Sequence, residues 1–371
     1  MVQNTTIGFG SPLRYIQGQN EFDNLPLYTG IYGSNLLFLI DSYLFDNISN
    51  RLNKLYESKQ KIINVKFNGE VCREEIDRIS ELVRKEDINL IIGIGGGKTL
   101  DTVKLSADDT DRPIIICPTS ASNDAPASEI AIYYTKDGEY LGAKKMKRNS
   151  DLVLVDSNII MKAPKRLFIA GIGDALATWF EANANQNSDS PNYISYGLRR
   201  CIASMAIAKS CYDTILKYSK KALLALDSGC ITDDVENVIE ANILLSGLGF
   251  QNTGCSTAHG IHSGLTSIPS SHKYLHGEKV AFGIVVQMIL ENTNPDELDK
   301  IMRFMVDINL PVTLEQVGVE PTKENIAKIA HKTTMENKLI YSEPFLITED
   351  IVNNAITLAD SLGKKYLSGE F

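Results

Sequence analysis

Seven residues, Gly93-Ile94-Gly95-Gly96-Gly97-Lys98-Thr99, constrain the fold of this chain more than any others. An apolar run, residues 88–92, precedes them, and a helix-like segment, residues 100–106, follows. A strand, a glycine turn and a helix in that order aim bare backbone N–H groups and a helix N-terminus at an anion, usually a phosphate. The stretch fits neither common phosphate template. A Walker A loop needs glycine six positions before the lysine, where Ile92 stands, and a dinucleotide fingerprint beginning at Gly93 needs glycine where Lys98 stands. A tight strand-to-helix turn without a ligand is the plainer alternative.

The surrounding pattern says what kind of sheet the loop belongs to. Residues 13–17, 36–40, 61–67, 88–92, 113–117 and 152–155 read as strands, and residues 42–56 and 74–84 as amphipathic helices, with Ile76, Ile79, Leu82 and Val83 on one stripe. Strands that are apolar on both faces and alternate with helices predict a parallel sheet covered by helices. Asp137-Gly138, between residues 129–135 and 139–144, predicts a hairpin. Asp156-Ser157 predicts a cap for a short helix starting at Asn158.

Beyond Pro164 the character changes to helix. Residues 172–184, 193–218, 234–248, 276–290, 296–306 and 348–362 carry helical spacing. The expected organisation is an α/β domain over residues 1–164, to which the resemblance given below adds dinucleotide binding, and an all-α domain over residues 165–371. Two domains also suit a chain of 371 residues, and a cleft between them is the default ligand site.

Composition excludes several partners. The net charge is −9 with no basic block, which argues against nucleic acid. The longest apolar stretch, residues 281–290, is too short to span a bilayer and contains Gln287. The polar opening of the chain has no basic segment followed by an apolar one, so no secretory leader is expected. Six scattered cysteines without a C-x-x-C pair fit a reduced, cytoplasmic protein.

Several residues could do chemistry. Asp41 ends a parallel strand, where an acid can bind both ribose hydroxyls of an adenosine, or simply cap the next helix. Residues 118–128 form a polar loop after another strand. Within it Asp124 could orient a hydroxyl or take its proton, although these residue types also make turns. Four of the five histidines fall between Cys255 and Gly277. His259 and His262 share one helical face, and His276 opens the next helix. Imidazoles from two helices plus a carboxylate suit a first-row metal ion. Spacing forces no third ligand. Asp174, on an otherwise apolar helix, is the candidate, since a buried charge is costly unless paired or ligated. Cys255, four residues before His259, could also face the site.

These stretches together resemble the glycerol dehydrogenases of the metal-dependent (iron-containing) alcohol dehydrogenase superfamily. The resemblance rests on Ser11-Pro12, Tyr15 and Gln17-Gly18, on GIGGGKTLDTVK from Gly93 and on SNDAPAS from Ser122. It continues in GIGDALATWFEA from Gly171, EANILLSGLGF from Glu240, AHGIHSG from Ala258, HGEKVAFG from His276 and Pro344-Phe345. It implies a dehydroquinate synthase-like fold, NAD as cofactor, a zinc ion and a small polyol substrate. The implied metal ligands are Asp174, His259 and His276, with Thr178 at the position where iron-type members have a further histidine. The implied NAD residues are Asp41, Gly95, Gly96, Gly97, Lys98, Asp101, Thr119, Ser122, Ser128 and Tyr134. Asp124 is the implied glycerol contact, with Asp174 and His259 at the substrate through the metal, and His262 joins Asp124 as a candidate proton or hydroxyl handler. A homo-oligomer is implied, with an octamer as the candidate state.

The implied reaction is reversible NAD-dependent oxidation of glycerol at C2 to dihydroxyacetone. Cys255-Ser256-Thr257 and Ser263 depart from the family's usual residues beside the metal and leave polyol preference open. Related dehydrogenases of another vicinal diol, a 2-oxo acid or a polyol phosphate remain alternatives. So do a lyase of the dehydroquinate synthase type and a nucleotide-binding protein without catalysis. The donor set would also accept Fe2+ or Mn2+.

Overall fold

A computed structural model describes residues 5–371 apart from 58 and 337; residues 1–4, the start of the polar opening and of the expected first domain, lie outside the described residues. The chain divides into two compact units, one running from Gly10 to Pro164 and the other joining residues 5–9 to Lys165–Phe371. Residues 5–9 thus belong with the helices and not with the α/β domain to which the strand–helix pattern assigns them. The reason is a long-range pairing: Ile7 bridges Arg199, and the Gly8 N–H donates to the Arg199 carbonyl at 3.1 Å.

The α/β unit is built on strands β1 (Tyr15–Gly18), β2 (Asn35–Ile40), β3 (Lys61–Lys66), β4 (Leu90–Gly95), β5 (Ile114–Pro118), β6 (Ile130–Tyr134), β7 (Tyr140–Lys145) and β8 (Leu152–Asp156). Six of them form one sheet in the order β1-β8-β5-β4-β2-β3, parallel at every pairing. Strands β6 and β7 pair separately as the antiparallel hairpin turned at Gly138, whose φ of 84° suits glycine. Apolar runs on the central strands are buried on both faces, as a helix-covered parallel sheet requires. Phe38, Ile40, Ile92, Ile94, Ile115 and Leu154 gather on one face with Ile48 and Leu52 of α1 (Phe45–Leu55). Helix α2 (Arg73–Lys85) supplies Ile76 to a second apolar cluster with Val71, Leu105, Ala131 and Met146. Helix α3 (Gly97–Thr110) starts in the glycine loop and lays Leu100 and Val103 within van der Waals range of Gly93.

The second unit is helical: α4 (Lys165–Ser188), α5 (Ile202–Asp227), α6 (Asp233–Glu240), α7 (Ser246–Thr253), α8 (Thr257–Leu265), α9 (His276–Leu290), α10 (Pro295–Asp307), α11 (Lys323–Met335) and α12 (Glu349–Ser368). Helix α4 is buried along most of its length, which is why it shows no clean apolar stripe. Two differences from the sequence pattern have physical causes. Residues 193–201 form no helix, because Ser195 and Gly197 take positive φ and turn the chain back. The single helix expected over residues 234–248 is three pieces, since Ala241–Leu245 is a π turn between α6 and α7. Among the described residues no helix is long and apolar enough to cross a membrane. Cys72, Cys117, Cys211 and Cys255 are buried free thiols, and Cys230 is exposed.

Candidate functional site

In the helical unit, Asp174 of α4, His259 of α8 and His276 of α9 converge. Asp174 Oδ1 lies 3.4 Å from His259 Nε2 and 3.1 Å from His276 Nε2, and the two Nε2 atoms are 3.3 Å apart. A tetrahedral zinc with bonds of 2.0–2.1 Å separates its ligands by about 3.3 Å, so this triangle has the edge length that such an ion needs. The Asp174 side chain is fully buried, His259 is nearly so, and His276 is 37% exposed, which leaves the open side of the triangle at His276. Burial works against charge on Asp174, but the imidazoles of His276 and His259 outweigh it and hold the carboxyl below the usual carboxylate range. Burial likewise opposes a proton on His259. Cys255, Glu181 and Asp174 act the other way and raise its affinity for one well above normal. Such a pocket favours a positive charge, whether proton or metal ion.

Close helix packing makes the triangle achievable. A Cβ on Gly277 would lie 1.8 Å from the Ala170 carbonyl oxygen, and one on Gly173 would lie 2.6 Å from the Gly277 carbonyl oxygen. The glycines beside Asp174 and His276 therefore let the α4 and α9 backbones touch. Thr178, one turn after Asp174, bonds Ser246 at 2.9 Å and packs on Gly249, leaving three protein donors.

Sequence reasoning missed the groups that orient these ligands. Glu181, two turns after Asp174 on α4 and fully buried, takes His259 Nδ1 at 2.7 Å on one oxygen. Its other oxygen accepts the N–H groups of Ser256 at 2.8 Å and His259 at 2.9 Å. A proton on Nδ1 leaves the Nε2 lone pair for a metal, the usual carboxylate–histidine–metal arrangement. Gln287 of α9, visible in the sequence only as a break in an apolar run, accepts the Ala258 N–H at 3.1 Å. Glu343 takes the hydroxyls of Ser256 at 2.6 Å and Thr257 at 2.5 Å. The missed signal was the second acid, at i+7 from Asp174 on an apolar helix.

His262 faces His276, with 3.1 Å between its Nε2 and His276 Nδ1. Burial, the neighbouring His276 and Lys279 hold its proton affinity well below normal. Cys255 lies with Glu181 around His259, and burial raises its thiol above the usual range.

In the α/β unit the sheet register places Asp41 beside the glycine loop, since Ile40 of β2 pairs Ile94 of β4 and the Asp41 N–H donates to the Ile94 carbonyl at 2.9 Å. A Cβ on Gly95 would meet Thr99 at 2.7 Å and Asp41 at 3.1 Å, so the loop needs glycine there. Gly96 is the N-cap of α3 without a side-chain cap, and a Cβ on it would meet nothing within 4 Å, leaving room above the helix N-terminus. The first N–H groups of such a helix have no intrahelical partner and suit a phosphate. Lys98 bonds Glu70 at 2.5 Å and lies over the Tyr134 ring at 5.1 Å, so both expected residues sit at this loop. The Thr119 N–H donates to the Gly95 carbonyl at 3.1 Å, and Ser122 bonds Ser120 at 3.1 Å. Asp41 also caps its own turn, accepting the Tyr43 N–H at 3.0 Å.

Two further expected cofactor residues are bonded within the protein. Asp101 is buried one turn into α3, accepts the Ile132 N–H at 3.1 Å and lies 3.6 Å from the Lys104 ammonium. Ser128 is buried, with its hydroxyl on the Ala125 carbonyl at 3.2 Å. Asp101 thus anchors β6, and Ser128 closes the end of the polar loop. Asp124, also buried, is the N-cap of the short 3-10 turn Ala125–Ala127.

Comparison with known proteins shows what the chain is similar to. Residues 12–157 match the family described as iron-containing alcohol dehydrogenase. The chain is 38% identical over 354 residues to a glycerol dehydrogenase of Thermotoga maritima, spanning 95% of this chain and 96% of the relative. The crystal structure of glycerol dehydrogenase from Schizosaccharomyces pombe superposes with a TM-score of 0.94 at 34% identity, covering 99% of this chain and 94% of that one. That of a probable glycerol dehydrogenase from Sinorhizobium meliloti 1021 does so with a TM-score of 0.91 at 43% identity, covering 97% and 100%.

Proposed function

The chain belongs to the iron-containing alcohol dehydrogenase family, and from that premise we propose that it is an NAD-dependent glycerol dehydrogenase. It interconverts glycerol and NAD+ with dihydroxyacetone, NADH and a proton. The observation that carries the reading is the donor triangle of Asp174, His259 and His276, with edges of 3.1–3.4 Å and Glu181 behind one corner.

When bound, a divalent cation supplies the Lewis acidity that acidifies the C2 hydroxyl, and NAD supplies the hydride acceptor. The protein's own residues do the rest. Asp174, His259 and His276 hold the cation. Glu181 keeps the His259 lone pair on Nε2, and His262 holds the His276 ring at Nδ1. Gly95, Gly96, Gly97 and Lys98 receive the pyrophosphate of NAD at the start of α3, where helix geometry favours an anion. Asp41 takes the adenosine ribose hydroxyls and repels a 2′-phosphate, which fixes NAD over NADP. Asp124 binds a glycerol hydroxyl. An uncharged polyol suits this set, because neither the mapped metal residues nor Asp124 offers a cation for a substrate phosphate or carboxylate. The protein acts as a homo-oligomer.

The test is to strip the metal with a chelator, verify its absence by elemental analysis and follow NADH formation with glycerol. Activity should vanish and return with Zn2+. Full activity in verified metal-free protein would overturn the reading, and a panel with 1,2-propanediol and hydroxyacetone ranks the polyols.

A further inference from the structure

Among the described residues, Lys104 is a buried cation that this scheme leaves unused. Lys104 lies on α3, six residues after Lys98, with its side chain 1% exposed. Its ammonium donates to the Ala125 carbonyl at 2.6 Å and the Ile130 carbonyl at 2.9 Å, and it stands 3.6 Å from Asp101 Oδ1. The Ser128 hydroxyl converges on the same two carbonyls, at 3.2 and 3.4 Å. Asp101 Oδ2 accepts the Ile132 N–H, anchoring the start of β6.

The position of these bonds gives them a function. Ala125 immediately follows Asp124, so the lysine grips the peptide on the C-terminal side of the proposed glycerol contact. Residues 125–130 are thereby stapled at both ends to the helix whose first turn forms the phosphate cradle. Burying a lysine is costly, and an apolar residue would pack there without that cost. Burial pushes the ammonium's proton affinity down, and Asp101 and Asp124 act against that. A lysine that only filled space would not need two backbone carbonyls on its ammonium at 2.6 and 2.9 Å and a carboxylate 3.6 Å away.

We propose that Lys104 is a positioning residue for the dehydrogenase reaction, holding the Asp124 loop in register with the cofactor-binding helix so that Asp124 meets the polyol. The inference rests on the glycerol reading for its substrate, but not for its loop geometry.

The experiment compares metal-loaded, full-length wild type with Lys104→Met and with the double variant Asp101→Asn/Lys104→Met, which removes both buried charges. Three readouts are taken: hydrogen exchange of amides 124–132, the NAD dissociation constant, and glycerol KM and kcat. Lys104→Met should speed exchange across residues 124–132 at least tenfold while the β2 and β4 amides stay as in wild type. Glycerol KM should rise at least tenfold, with the NAD dissociation constant changed no more than threefold. The double variant should regain thermal stability without regaining KM. Unchanged exchange and KM would overturn the proposal. So would parallel loss of NAD and glycerol binding, or recovery of both stability and KM in the double variant, either of which makes the lysine a plain structural charge. If wild type fails to turn over glycerol, the functional reading fails, while the exchange data still decide the role of Lys104.

Discussion

Replacing Glu181 by glutamine tests the logic of the metal site at one atom. The carboxylate accepts three hydrogen bonds, from His259 Nδ1 at 2.7 Å and from the backbone of Ser256 and His259 at 2.8 and 2.9 Å. Glutamine keeps the shape but has one oxygen. If that oxygen serves the two backbone N–H groups, the amide NH2 faces His259 Nδ1 and the ring must carry its proton on Nε2, where it blocks the ligand lone pair. Losing such a partner typically weakens metal binding 10–100-fold, or about 1.4–2.8 kcal/mol. The metal-free fold should respond differently. Glu181→Gln removes a buried acid that faces Glu343 and Glu291 and keeps an acceptor for α8, so its thermal midpoint should stay near wild type. Glu181→Ala leaves two buried N–H groups without that acceptor, at about 1–3 kcal/mol each, and should melt earlier. Metal affinity is read by competition with a chromophoric chelator, and stability by thermal unfolding of the apoprotein. Wild-type zinc affinity in Glu181→Gln would refute the reasoning, because the tautomer of His259 would then not depend on Glu181.

Other expectations are as direct. Gly277→Ala forces α9 off the Ala170 carbonyl and should abolish metal binding, with a stability loss of at least 1–3 kcal/mol; a variant with normal metal content would show that the α4–α9 contact does not set the triangle. Asp41→Gly should raise kcat/KM for NADP relative to NAD by tenfold or more, and an unchanged ratio in steady-state assays would remove Asp41 from the ribose site. Burial and the adjacent Glu343 push the Glu291 carboxyl from 4.5 up to about 8, so the fold holds a proton that the unfolded chain releases. Stability from that proton is complete below about pH 4.5 and is lost as pH rises through 8. Glu291→Gln should therefore match wild type at low pH and gain in thermal midpoint as pH rises across that window, and a parallel pair of pH–stability curves would exclude the effect.

How much of this was legible in the sequence depends on the range of the interactions. The parallel sheet announced itself because each strand carries its own apolar run, and the glycine loop because its turn chemistry is local. The break at residues 193–201 did not, since Tyr193 onward keeps helical spacing while the positive φ of Ser195 and Gly197 decides otherwise. Helix α11 passed unread for the opposite reason: KENIAKIAHKTTM carries a Thr-Thr pair in its last turn, and tertiary packing of Ile326 and Ile329 stabilises it. For Asp101 and Ser128 the sequence reports that they flank the glycine and polar loops but not their buried partners, the Ile132 N–H and the Ala125 carbonyl.

The start of α8 shows why ligands are easier to read than their supports. Ser256-Thr257 has the composition of a local helix cap, yet the helix has no side-chain cap of its own. Its hydroxyls go to Glu343, and the N–H groups of Ser256, Ala258 and His259 go to Glu181 and Gln287. Those acceptors lie on α4 and α9, the same helices that carry Asp174 and His276. Each helix therefore delivers one ligand and one anchor for the helix bearing the third. With this arrangement a shift of α8 would break the anchors before it displaced the ligand, so His259 is held in place before any metal arrives. Such preorganisation requires contacts between residues far apart in the chain, and no local spacing records them. Histidine and aspartate stand out in an apolar helix because they are chemically out of place; a glutamine or glutamate that caps a distant helix is conspicuous only once the helices are packed.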